Sequence, residues 1–187
     1  MTTRSSANDL FQDWSSNKGN IKAQLVLLSF RLAQRLRATK HWRRNPLVIG
    51  YGVVYRVVVE WILGIEIPWK TRIGSGLVLY HGIGLVINDS AVIGSGVTLR
   101  HNVTIGTKVN DGPAPRIGDN VTFGCGATIL GDIEVGEGAV IGAGAVVTKD
   151  VPPGAVAVGN PARIRIPAQE ETDAHPAVAV GTGRNPT

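Results

Sequence analysis

From Ile87 onward the large apolar residues fall on every sixth position: Ile87, Ile93, Leu99, Ile105, then Ile117, Phe123, Ile129, Val135, Ile141 and Val147. Two places before each stands a second, often smaller residue: Leu85, Ala91, Val97, Val103, Pro115, Val121, Ala127, Ile133, Ala139 and Ala145. Glycine directly follows the aliphatic position at 94, 106, 118, 124, 136 and 142. A period of six fits neither a helix nor a lone strand. It fits short strands joined by corners, with one aliphatic residue per side pointing inward and the next residue turning through a left-handed backbone that glycine tolerates. Three sides close a triangular coil, so residues eighteen apart should stack, Ile105 under Phe123 and Phe123 under Ile141. The expected fold is a parallel β-helix of the hexapeptide type.

The flanks read differently. Between Ile21 and Lys40 the recurrence of Leu25, Leu28 and Leu32, with Leu27 and Leu36 beside them, predicts an amphipathic helix. Pro46 can open a second helix running to about Leu63, with Gly64 near its end. The stretch Leu47 to Ile65 is apolar, but Arg56 and Glu60 stand in it at ion-pair spacing, so it reads as a packed helix rather than a membrane span. The expected organisation is a flexible N-terminus (1–19), a helical segment (20–64), the β-helix (65–166) and a disordered tail (167–187) in which His175 is incidental.

Composition sharpens this. Aromatics make up only 5% of the 187 residues and glycines number 24, as suits a chain with many tight corners. A lone Cys125 excludes an internal disulfide framework and a cysteine metal cluster. Charge is uneven: residues 1–65 hold ten Lys/Arg against three acids, whereas 66–166 hold eight of each. The basic excess, centred on Arg31, Arg35, Arg37, Lys40, Arg43 and Arg44, fits a solvated face or contact with an anionic membrane. No nucleic-acid-binding motif accompanies it. The first nineteen residues lack the apolar run of a signal peptide, so the expected location is the cytoplasm, at most at the membrane's inner face.

The segments "GIEIPWKTRIGSGLVLYHGIGLVI", "LRHNVTIG", "IGDNVTFGCGATILGDIEVGEGAVIGAGAVV" and "VPPGAVAVGNPARI" resemble the hexapeptide-repeat acyltransferases, over roughly residues 45–166. Within them the chain is similar to serine acetyltransferases and colanic acid biosynthesis acetyltransferases. The resemblance implies an all-β, left-handed parallel β-helix, a homotrimer or a dimer of trimers, and acetyl-CoA as co-substrate without a metal. His81 has the residue type of a general base for an alcohol acceptor, because an acyl thioester is already activated and deprotonation is the main need. Glu66 stands where serine acetyltransferases carry the aspartate that pairs with this histidine. Tyr80, His101 and Asn102 are candidates for acceptor binding. The family's donor groove maps onto Thr107, Cys125, Gly126 and Ala143, with Lys149 and Arg163 as candidate cations for the nucleotide phosphates.

The acceptor expected is a sugar hydroxyl, with L-serine as the alternative. Tyr80 replaces the aspartate that precedes the histidine in the serine enzymes, Ala114 replaces their second histidine, and the sequence closes on "GRNPT" rather than a terminal isoleucine. A zinc hydratase resembling gamma-type carbonic anhydrase needs three converging histidines, and the repeat region holds only His81 and His101. A non-catalytic scaffold would leave the pairing of His81 with Glu66 without a use.

Overall fold

The computed structural model describes residues 10–167. Residues 1–9 and the tail from 168, with His175, lie outside the described residues. A parallel β-helix of three faces follows a helical segment, as the hexads predict. The first face carries Ile65–Glu66, Leu85–Ile87, Thr104–Gly106, Thr128–Leu130 and Val146–Val147. The second carries Arg72–Ile73, Val92–Ile93, Arg116–Ile117 and Glu134–Val135. The third runs from Val78–Tyr80 through Thr98–Arg100, Thr122–Phe123 and Val140–Ile141 to Val156–Val158, and closes on Arg163–Arg165, which returns antiparallel. All ten hexad residues and their partners two places earlier are buried, so each coil adds one layer to a continuous aliphatic column.

The stacking differs from an even eighteen. Phe123 does pair with Ile141, but Ile105 pairs with Ile129 on the first face rather than with Phe123 on the third. The reason lies in residues 107–115, which leave the prism as a loop and return at Arg116 without making a side. The detour consumes six extra residues, so the hexad phase survives while the face assignment shifts by one. Lys108 pins the loop by donating from Nζ to the Thr148 carbonyl (3.1 Å), its stem lying over Gly131.

The glycines also divide their work differently. Those directly after the aliphatic position are not left-handed; they let the next coil approach. A Cβ on Gly94 would stand 2.7 Å from the backbone of Gly118, and one on Gly118 equally close to that of Glu137. The left-handed turns come two residues later, at Gly96, Asn120, Gly126, Gly138 and Gly144.

The helical segment seats on the open end of the first coil. α1 (Ile21–Arg37) buries Ala23, Val26, Leu27, Phe30 and Ala33, so its core stripe is not the predicted Leu25, Leu28, Leu32 row, and Leu25 faces outward. Both rows have helical spacing; the first wins because Gln24, Arg31 and Gln34 beside it have partners in the fold. α2 (Pro46–Tyr55) is capped by Asn45 and passes into a π-helical stretch, Arg56–Ile62. There the predicted Arg56–Glu60 pair forms (3.3 Å).

Residues 10–19, expected to be flexible, are docked. Asp13 accepts from the Leu77 N–H (2.9 Å), and Asn17 accepts from the Leu79 N–H (3.0 Å) while donating to the Leu77 carbonyl (2.7 Å). Arg31 clasps Asp13 (2.8 Å) and donates to the carbonyls of Ile73 and Gly74. Asp13 and Arg31 are both buried, so removing one strands the other. Asp13→Ala should therefore cost about 3–5 kcal/mol, read from a urea unfolding midpoint. A loss under about 1 kcal/mol would show that the coil's edge does not depend on this pair.

Candidate active site

The corner between the third and first faces gathers most of the chemistry. Tyr80 ends Val78–Tyr80, and its register partner is Arg100. That register sets His101 one coil beyond His81, with ring centroids 6.3 Å apart and planes inclined by 69°. Standing six places before Ile87, His81 would fall on an inward slot if the hexad phase ran back unbroken; it is exposed instead, at φ 58°. Between the inward residues Leu79 and Ile87 the chain spends eight residues where six is the rule. The two extra residues form a bulge. Gly82 turns inward against Ile65 and Leu79, where a Cβ would stand 2.9 Å from Ile65 Cδ1, and Ile83 turns outward. An imidazole in the aliphatic column would lose its hydration without a partner, and the bulge removes that penalty. Histidine tolerates the left-handed region better than branched residues do, though at a cost.

The same edge continues upward. Asn102, also left-handed at φ 57°, donates its N–H to the Ile83 carbonyl (2.9 Å) and lays its Oδ1 against Gly84, where a Cβ would overlap it. Gly126 N–H donates to the His101 carbonyl (3.0 Å), and Gly144 N–H to that of Cys125 (2.9 Å). Tyr80, His81, His101, Asn102, Cys125, Gly126 and Ala143 therefore share one edge. The reading missed Arg100. Its guanidinium lies over the Tyr80 ring (5.0 Å to the centroid), and the two residues precede His101 and His81 in sequence. The extra two residues in "YHGIG" were the signal, since a twenty-residue coil puts residue 100 opposite residue 80.

Other candidates are not brought to that edge. Glu66 lies on the first face, opposite Val86, and makes no hydrogen bond or ion pair with His81. It lines a cleft of about 800 Å³ between α2 and the first coils, together with Glu60, Trp42, Trp61, Trp69 and Asp89. Burial holds the Glu60 carboxyl above the usual range, Arg56 works against that, and the Glu66 charge adds to it. Thr107 and Lys149 follow strands of the first face, on its far edge, two coils apart. Arg163 is exposed on the closing antiparallel strand, opposite Val158. Among the described residues no three His, Cys, Asp or Glu side chains are grouped to hold a metal ion.

Comparison with known proteins fits this architecture. The bacterial transferase hexapeptide family (six repeats) matches residues 114–149. A protein of Escherichia coli K12 named for colanic acid biosynthesis acetyltransferase activity, WcaB, is 34% identical over 163 residues, covering 84% of this chain and 99% of its own length. The chain belongs to the hexapeptide-repeat acetyltransferases. Serine acetyltransferase 2 of Arabidopsis thaliana is 37% identical over 86% of this chain, which spans 48% of that relative's length. Among solved structures, soybean serine acetyltransferase complexed with serine has 37% identity and a TM-score of 0.70, over 83% of this chain and 68% of that one. The fold is thereby that of the left-handed β-helix transferases, enzymes that use acetyl-CoA and small-molecule acceptors and are generally trimeric.

The left-handed backbone at His81 makes a prediction about folding alone. Asparagine accepts that conformation and should leave the thermal midpoint nearly unchanged, whereas His81→Val should lose about 1–2 kcal/mol. Equal midpoints for the two variants would mean that the bulge relaxes freely.

Proposed function

We propose that this acetyltransferase moves the acetyl group of acetyl-CoA directly to a hydroxyl of a sugar in polysaccharide biosynthesis, with His81 as the general base. The observation that carries the reading is the bulge, which spends two residues and a left-handed histidine to hold an exposed imidazole beneath a second one at the same edge. His81 takes the acceptor's hydroxyl proton as the oxygen attacks the thioester carbonyl carbon. The tetrahedral oxyanion then collapses, the C–S bond breaks, and the CoA thiolate leaves with the proton from the imidazolium. No acyl-enzyme is needed, and Cys125, in a corner against the next coil, serves the donor through its backbone. Glu66, at the position of the family's aspartate but turned toward Glu60, acts on the imidazolium at most through its long-range charge, so its removal should cost less.

The donor residues fall on the two edges of the first face, Cys125, Gly126 and Ala143 on one and Thr107 with Lys149 on the other. In a threefold assembly an edge of one chain meets a neighbour, so the donor lies in a groove between subunits, with Arg163 reaching its phosphates. A homotrimer, or a dimer of trimers, is the expected assembly, in the cytoplasm. Tyr80, His101 and Asn102 face the acceptor. A tyrosine with one exposed face suits a pyranose ring. One observation favours the alternative, L-serine giving O-acetylserine: Arg100 beside Tyr80 is a cation that a carboxylate-bearing acceptor could use.

His81→Asn, chosen because it keeps the corner, should lower kcat by roughly 10²–10⁴ while acetyl-CoA still binds. Unchanged turnover would move the base to His101. Glu66→Gln should be slowed less, and full activity would end its assignment. CoA release measured against L-serine and a panel of sugars and nucleotide sugars should show a sugar as the better acceptor. L-serine turning over faster than every sugar would overturn that ranking.

A further inference from the structure

The helical segment carries a surface that acetyl transfer does not use. α2 and its π-helical continuation turn Val48, Tyr55 and Val59 inward. Outward they present Leu47, Val54, Val58, Trp61 and Ile62, with Leu47 82%, Trp61 73% and Ile62 71% exposed. Helices of this composition are ordinarily covered. At the N-terminal foot of α2, Lys40, His41, Trp42, Arg43 and Arg44 line a depression of about 440 Å³. Arg37 and Arg43 stack over the Trp42 ring at 5.8 and 5.2 Å. From Trp14 to Val59 the sequence holds no Asp or Glu at all. Only Arg31 and Arg56 of its cations have acidic partners among the described residues, in Asp13 and Glu60.

We propose that this surface docks on an anionic phospholipid membrane. α2 would lie in the plane of the interface, its outward apolar residues at the acyl boundary and Lys40, Arg43 and Arg44 on headgroup phosphates. Insertion across the bilayer is a different matter, since among the described residues no helix is long and apolar enough to cross. The alternative cover is a second copy of this chain. An isologous contact would set these cations against their own copies, with no acid in the segment to offset them. A bilayer containing anionic lipid supplies the missing charge. Docking of this face does not depend on which acceptor the enzyme uses.

Flotation of the full chain with vesicles tests it. With phosphatidylcholine vesicles containing phosphatidylglycerol the protein should float at low salt, and with phosphatidylcholine alone it should not. Binding should weaken at about 1 M salt, where the Debye length falls to about 3 Å. Arg43→Ala and Arg44→Ala should each lower the partition coefficient about fivefold. The pair Leu47→Asp with Val54→Asp touches no buried residue; it should abolish flotation while leaving the circular dichroism and thermal midpoint unchanged. Failure to float on anionic vesicles at low salt would overturn the proposal. So would wild-type partitioning by the folded variants, or a Leu47→Asp/Val54→Asp chain whose only change is a smaller oligomer.

Discussion

A β-helix has an open end, and the backbone groups of its first coil must be satisfied there or the fold has an adhesive edge. Here side chains do the work that a further strand would do. Asp13 and Asn17 meet the amides of Leu77 and Leu79, Asn20 and Asn17 meet their carbonyls, and Arg31, Gln34 and Tyr55 meet the carbonyls of Ile73, Gly74, Thr71 and Ile67. Because these donors come from α1, α2 and the segment before them, the cap also fixes the position of the helices on the prism. The cleft beside Glu66 and the outward face of α2 are consequences of that seating.

Much of the prism was legible because its inward slots are specified by volume alone. A residue such as Phe123 or Ile129 has one place to go, and a period of six betrays it. What the period does not encode is which face a residue joins. The detour at residues 107–115 adds six residues to its coil, invisible to phase counting, and so Ile105 came to rest on Ile129. The leucines of α1 failed for another reason. Both stripes are apolar, and the choice between them was made by polar neighbours: Gln24 bonded to the Trp14 carbonyl in the preceding segment, and Arg31 and Gln34 bonded to Ile73 and Thr71, distant in sequence.

The site shows the same division. Residues on one corner of successive coils, His81, His101, Cys125 and Ala143, come together because backbone hydrogen bonds carry the corner from coil to coil. Glu66 is tied to the sequence position of a family aspartate, and the fold turns it toward Glu60 and the helical segment instead. Arg100 was hidden by an assumed coil of eighteen; only a coil of twenty pairs it with Tyr80.

The two-residue bulge has a meaning for how such a protein can change. The core columns pass behind it from Leu79 to Ile87, so the exposed positions Tyr80, His81 and Ile83 can be rewritten without disturbing the packed layers, while Gly82 and Gly84 must stay without a side chain. Inheritance can therefore experiment at this corner while the scaffold stays constant. Closely related chains with one shared core are free to diverge in what they acetylate.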